Sequence, residues 1–119
     1  MTTFQNLCPH ALSFHAADGT VTVLPPSGTV ARVKSTPGGL VEGFGSPWTV
    51  FAPDTLGQVE NLPAPQEGEV FVVSAMVGAA LSAERKALKD VVMPGTGPQD
   101  KPVRNEAGQV VGVTCFKLA

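Results

Sequence analysis

The sequence is poor in cysteine and has no long apolar run. Two cysteines in 119 residues are too few for a disulfide framework, and they lie in no metal-ligand spacing. We therefore expect reduced thiols at Cys8 and Cys115 and no bound metal. The longest nearly apolar stretch, residues 70–81, is too short to cross a bilayer, and the first ten residues lack the pattern of a secretory signal. These absences predict a cytoplasmic protein with no membrane partner.

Charge is also scarce. Charged residues make up 15% of the chain and hydrophobic residues 43%, with a net charge of −2. A general nucleic-acid binder needs a dense basic face, so we expect no DNA or RNA polymer as a partner. The charged fraction is low for the surface of a free monomer, which favours a homo-oligomer. The length predicts a single compact domain over residues 1–119.

The pattern of strands, turns and one helix predicts an α+β fold with a mostly β, mixed sheet. The apolar run at residues 69–73 predicts a central strand, and Ser74 is placed to cap one main helix over residues 75–89. Residues 90–93 then predict the next strand, so the unit is a right-handed strand–helix–strand crossover. Residues 103–116 predict a C-terminal hairpin. Ligands of such units sit beyond the carboxyl ends of the strands.

Glycine and proline concentrate in the loop after that crossover, residues 94–104. Gly95 and Gly97 leave main-chain amides uncovered by side chains, and three prolines stiffen the path. A guanidinium at Arg104 suits bidentate binding of a phosphate, and Asp100 suits a ribose hydroxyl or a base amine. We therefore predict an anion-binding site in this loop. The predicted ligand-binding residues are Gly95, Thr96, Gly97, Asp100, Lys101 and Arg104 from the loop, with Arg32 and His10 from elsewhere in the chain.

The same loop has a structural interpretation, which stays open. It lacks the Gly-Lys-Ser/Thr of a Walker motif and the third glycine of a dinucleotide fingerprint. As a rigid turn between two strands it needs no ligand, and Asp100 and Arg104 would then pair to brace it.

No catalytic set is visible. Ser74 lacks the Gly-x-Ser-x-Gly turn of a hydrolase nucleophile, and nothing near Cys8 supports a thiolate. We assign no catalytic residue and no cofactor. Residues 35–47 are rich in glycine and proline and predict a long loop or an irregular edge. Trp48 follows them and is expected in the core, with stacking on a base as the alternative.

Three motifs resemble those of a small protein family found in phage and bacterial genomes. They are Asn6-Leu7-x-Pro9-His10, Pro25-Pro26-Ser27-Gly28-x-x-Ala31-Arg32, and the segment GTGPxDxPVRNExGQVV at residues 95–111. The resemblance spans nearly the whole chain, with Cys8 where the family has a threonine. In size, and in its lack of a catalytic set, the family is similar in style to phage anti-defence proteins. Those are small homo-oligomers that sequester the nucleotide signals of bacterial immunity.

The resemblance implies a non-enzymatic phage-type protein that acts in the host cytoplasm. It would sequester a small phosphorylated nucleotide, either a cyclic oligonucleotide or a messenger derived from ADP-ribose. Two alternatives stay open. One is a structural or interaction protein with no small-molecule ligand, in which the glycine loop only maintains a subunit contact. The other is a nucleotide-processing hydrolase or lyase with His10 as general base.

Overall fold

A computed structural model describes residues 2–119, which contain short strands, two short helices and one 3-10 turn. The strands are β1 (Thr3–Asn6), β2 (Leu12–His15), β3 (Val21–Leu24), β4 (Arg32–Thr36), β5 (Leu40–Val41), β6 (Val50–Phe51), β7 (Thr55–Glu60), β8 (Glu69–Val72), β9 (Val91–Pro94), β10 (Val103–Arg104), β11 (Val110–Gly112) and β12 (Phe116–Leu118). The helices are α1 (Ala75–Ala80) and α2 (Ala83–Ala87), and the 3-10 turn is Pro98–Asp100. The predicted α+β class, with more strand than helix, agrees with this content. Neither helix has the length and apolarity needed to cross a membrane.

The main sheet has the strand order β1-β8-β9-β12. Strand β8 pairs in parallel with β1 and with β9, whereas β12 pairs antiparallel with β9. The apolar run Phe71–Val73 lies at the centre and is fully buried, as expected for a strand covered on both faces. The other buried side chains of the core are those of Leu7, Ala31, Val77, Leu81 and Val91. Burial of each such side chain contributes about 1.5–3 kcal/mol.

The predicted main helix is divided into two, which corrects the sequence-based expectation. Ser74 caps α1 as predicted, since its hydroxyl accepts from the amide of Val77 at 3.4 Å. The chain then becomes extended at Leu81, and the hydroxyl of Ser82 accepts from the amide of Arg85 at 3.2 Å to start α2. Leu81 is buried in the core, so the break lets that side chain point inward before the second helix begins.

A long two-stranded arm projects from this body. Strands β4 and β7 pair antiparallel at its root, and β5 pairs with β6 nearer its tip. We call residues 34–58 the arm: none of them is buried, and Gly38, Val50 and Ala52 are half-buried. The arm explains why the chain has a radius of gyration of 17.2 Å and a longest dimension of 56 Å. A compact chain of this length has a radius of gyration of about 13–14 Å.

Candidate functional site

The glycine loop is packed shut. The amide of Gly95 donates to the carbonyl of Cys115 at 2.9 Å, and the amide of Gly97 donates to the Asp100 carboxylate at 2.9 Å. A side chain added at Gly95 would lie 2.5 Å from the Cys115 sulfur, so this glycine is needed for a close approach of two segments. Contrary to the sequence-based expectation, the two amides are therefore already used by acceptors of the protein itself.

Asp100 is the centre of the loop's own hydrogen-bond network. Its carboxylate forms an ion pair with the Lys117 ammonium at 2.8 Å, and its carbonyl accepts from the Thr114 hydroxyl at 2.9 Å. The bond from Lys117 holds the pKa of Asp100 below its ordinary value, and Asp100 in turn raises the pKa of Lys117. The predicted brace between Asp100 and Arg104 is wrong in its partner, because Lys117 of strand β12 takes that position.

Arg104, Lys101 and Thr96 do not converge with the glycine amides on a hollow. The guanidinium of Arg104 donates to the carbonyl of Gly108 at 2.8 Å, inside the hairpin formed by β10 and β11. Lys101 is exposed in a left-handed conformation, with φ of 51°, and Thr96 is also exposed. These positions support the interpretation of the loop as a structural turn.

Arg32 lies at a crevice between β4 and α1, and no residue of the glycine loop lines that crevice. Together with Pro9, Ser74 and Val77 it lines a cavity of about 330 Å³ at the carboxyl end of β8. Within residues 2–119 its guanidinium forms no ion pair, although Glu60 stands opposite it in the β4–β7 ladder. The structure thus separates the predicted site residues into the loop group and this second location.

His10 follows Pro9 beside the same crevice. Its side chain is exposed, and its carbonyl accepts from the side-chain amide of Asn6 at 2.8 Å. Among the described residues, no three of the types His, Cys, Asp and Glu are grouped as metal ligands. Cys8 is buried, which raises the pKa of its thiol and keeps the sulfur protonated at neutral pH.

Asn6 is the structurally central residue that sequence reasoning missed. It is 2% exposed, and its side-chain amide donates to the carbonyls of His10 at 2.8 Å and Leu24 at 2.9 Å. Its side-chain oxygen accepts from the amide of Cys8 at 2.9 Å. Its carbonyl accepts from the amide of Ser27 at 3.0 Å. Asn6 therefore ties the first two sequence motifs together, which gives their residues a structural role.

A larger groove lies on the other side of the arm's root, and the sequence did not predict it. Its cavity of about 480 Å³ is bounded by β7, the helices and the segment after β7. Apolar side chains supply most of its lining; they are Val59, Leu62, Pro65, Ala80, Leu81 and Leu88. We call this surface the helix groove. Glu84 and Arg85 also line it, and Arg85 is already paired with Asp90 at 3.0 Å.

The arm carries large apolar side chains into solvent. Trp48 is 72% exposed, Phe51 62%, Leu40 59% and Phe44 56%. The expectation that Trp48 lies in the core is therefore wrong for the single chain. Strands β5 and β6 pack chiefly against each other, so the body covers none of these four side chains.

Comparisons of the chain with protein-family models, with curated proteins and with solved structures return no match.

Proposed function

We propose that this chain is an interaction protein that assembles with copies of itself through the arm. The observation that carries the proposal is the exposure of Leu40, Phe44, Trp48 and Phe51 on a segment with no buried residue. Contiguous exposed apolar side chains mark protein–protein contact sites. A two-stranded hairpin alone is marginally stable in water, so a covering partner also stabilises the arm itself.

The contacts at the root of the arm also favour self-assembly. Val33 of β4 and Val59 of β7 pack against the buried core, and the amide of Ala31 donates to the carbonyl of Leu7 at 3.0 Å. These contacts fix the direction in which the arm leaves the body. A fixed arm loses less conformational entropy on binding than a loose loop, which favours specific assembly.

The glycine loop fits this proposal as a brace. Its amides, the Asp100 carboxylate and the Lys117 ammonium hold β9 and β12 together at the far end of the sheet. This agrees with the sequence-based alternative in which the loop has a structural role.

Trp48→Ser tests the assembly. We expect the wild-type chain to be an oligomer in light scattering, and the variant to dissociate about 30-fold more readily, since a central tryptophan contributes about 2 kcal/mol or more at an interface. Val23→Ser is the matched control, because Val23 is a similarly exposed apolar residue on the body. A wild-type mass of 12.3 kDa at every concentration would refute the proposal.

Sequestration of a small phosphorylated nucleotide is a second candidate function. Its site would be the crevice between β4 and α1, not the glycine loop. The observation that favours it is the guanidinium of Arg32, without a carboxylate partner among residues 2–119, beside a cavity of about 330 Å³. A free guanidinium is a good phosphate ligand.

Melting curves with cyclic dinucleotides, cyclic trinucleotides and cyclic ADP-ribose isomers test this candidate. A ligand at about 100 times its Kd stabilises the folded chain by about 2.7 kcal/mol. We expect Arg32→Ala to lose this stabilisation and Arg104→Ala to keep it, since Arg104 is engaged by Gly108. If no nucleotide of the panel shifts the wild-type melting curve, the candidate fails.

A further inference from the structure

We propose that the chain binds a neutral aromatic molecule of one or two rings in a cavity beneath the β2–β3 hairpin. The cavity has a volume of about 240 Å³. We call it the phenylalanine cavity; its lining residues are Phe4, Phe14, Thr22, Leu24 and Phe116. None of them belongs to the arm, so this site is independent of the proposed assembly.

The lining of the phenylalanine cavity comes from two layers of the fold. Phe14 stands opposite Thr22 in the β2–β3 ladder, and Leu24 lies two residues along β3, so these three side chains share one face of the hairpin. Phe4 of β1 and Phe116 of β12 belong to the main sheet. The ring centroids of Phe14 and Phe116 are 5.5 Å apart. The cavity therefore lies between the hairpin and the sheet.

Both strands of the hairpin are fixed, which keeps the cavity open. The side-chain amide of Asn6 donates to the carbonyl of Leu24 at 2.9 Å and holds β3 to β1. On the other strand, the amide of His15 donates to the carbonyl of Val113 at 2.8 Å, and the amide of Val113 donates to the carbonyl of Ser13 at 2.8 Å. Protein interiors contain few voids larger than a water molecule, because layers usually close onto each other. Here the hydrogen bonds hold the two layers in place, so a space of ligand size is part of the fold.

The chemistry of the lining selects a neutral ligand. None of the five lining residues carries a charge, and Thr22 is the only one of them with a polar side chain. An ion that entered would lose hydration and gain no partner of opposite charge. A buried water molecule needs about two to four polar partners, and this lining offers a single hydroxyl. An apolar molecule is therefore the occupant that the lining favours.

The volume and the ring geometry select a flat molecule. An apolar cavity of about 150 Å³ holds benzene, so a cavity of about 240 Å³ holds in proportion about nine or ten non-hydrogen atoms, the size of two fused rings. The rings of Phe14 and Phe116 are within 6° of parallel, and the ring of Phe4 is tilted by 42° from that of Phe116. A further flat ring can meet these surfaces in the offset-stacked and edge-to-face arrangements that aromatic rings prefer. Phe4 is 39% exposed, so the cluster can be reached from solvent.

Thermal melting with three probes of equal size tests the class of ligand. Indole is neutral and aromatic, benzoate is aromatic but charged, and 1-octanol is neutral but aliphatic. At about 2 mM we expect indole to raise the melting midpoint by about 2–3 °C, which corresponds to a dissociation constant of about 1 mM. Benzoate should give no shift, and 1-octanol less than half of the indole shift. The assignment is overturned if indole gives no shift, or if either of the other probes equals it.

Thr22→Phe tests the location. Thr22 and its neighbour Val23 are both exposed and point to opposite faces of β3. The larger side chain at residue 22 fills the cavity, so we expect the indole shift to fall to less than about one fifth of the wild-type value. Val23→Phe adds the same ring on the outer face and should keep the full shift. An indole shift that survives in Thr22→Phe would show that the ligand binds elsewhere.

Nuclear Overhauser contacts between indole and the wild-type chain locate the ligand even if Thr22→Phe does not fold. We expect contacts from indole protons to the rings of Phe14 and Phe116. Contacts to Trp48 or Phe51 in their place would put the ligand on the arm and overturn the proposal. Neither result depends on whether the chain assembles, so the cavity and the assembly function can fail separately.

Discussion

Replacement of Asn6 by alanine is expected to lower the free energy of unfolding by about 3–5 kcal/mol, a large part of the 5–15 kcal/mol typical of a domain. The side chain is buried, and its loss leaves the amide of Cys8 and the carbonyls of His10 and Leu24 without their partner. Each buried polar group that loses its hydrogen bond costs about 1–3 kcal/mol. The segment that joins β1, β3 and the crevice would therefore lose its anchor.

Denaturant unfolding followed by circular dichroism measures this loss. Asn105→Ala is a suitable control, since Asn105 is exposed and its side-chain oxygen accepts from the amide of Gln109 within one turn. We expect the control to lose no more than about 1 kcal/mol. An Asn6→Ala chain as stable as that control would show that water replaces the three bonds without cost.

Replacement of Gly38 by valine is expected to abolish assembly and to leave the body folded. A Cβ atom at this position would run into the carbonyl of Ala52 and lie 2.7 Å from the carbonyl oxygen of Pro53. Both obstacles are main-chain atoms directly after β6, so the close approach of the two chain segments next to the β5–β6 pair must be lost. We expect the dissociation constant to rise about 100-fold or more, because all apolar side chains of the tip lose their arrangement together.

Gly39→Val is the matched control, because a Cβ atom at Gly39 meets no atom within 4 Å. Neither glycine has a positive φ, so the comparison isolates the effect of space from that of backbone conformation. Light scattering measures the mass of both variants, and thermal melting shows whether the core sheet persists. Assembly that survives in Gly38→Val at wild-type strength would mean that the ordered tip has no part in it.

The elements predicted well from the sequence are those that local physics determines. The run Phe71–Val73 is apolar throughout, and such a strand is stable only where both faces are covered. Ser74 caps a helix because its hydroxyl reaches an amide three residues away. Ser82 has the same capping chemistry, yet continuous helical periodicity concealed the break that it makes at Leu81.

The glycine loop and the arm were harder to predict, because their contacts depend on segments that are distant in the sequence. Because residue 95 is a glycine, the sequence predicts an amide that no side chain covers. The sequence does not show that the carbonyl of Cys115 accepts a hydrogen bond from that amide. The apolar character of Trp48 indicated that something covers it, but not whether its own chain or a second copy does so. The answer depends on the pairing of β4 with β7 and of β5 with β6, which extends the arm away from the core.

The exposed arm also affects how quickly chains that have not assembled are degraded. An unassembled chain presents Leu40, Phe44, Trp48 and Phe51 on a segment with no buried residue, which is the kind of segment that chaperones and proteases with apolar specificity engage. A copy whose arm is covered escapes both. Cellular turnover would then remove orphan subunits selectively, and the level of the protein would follow the extent of its own association.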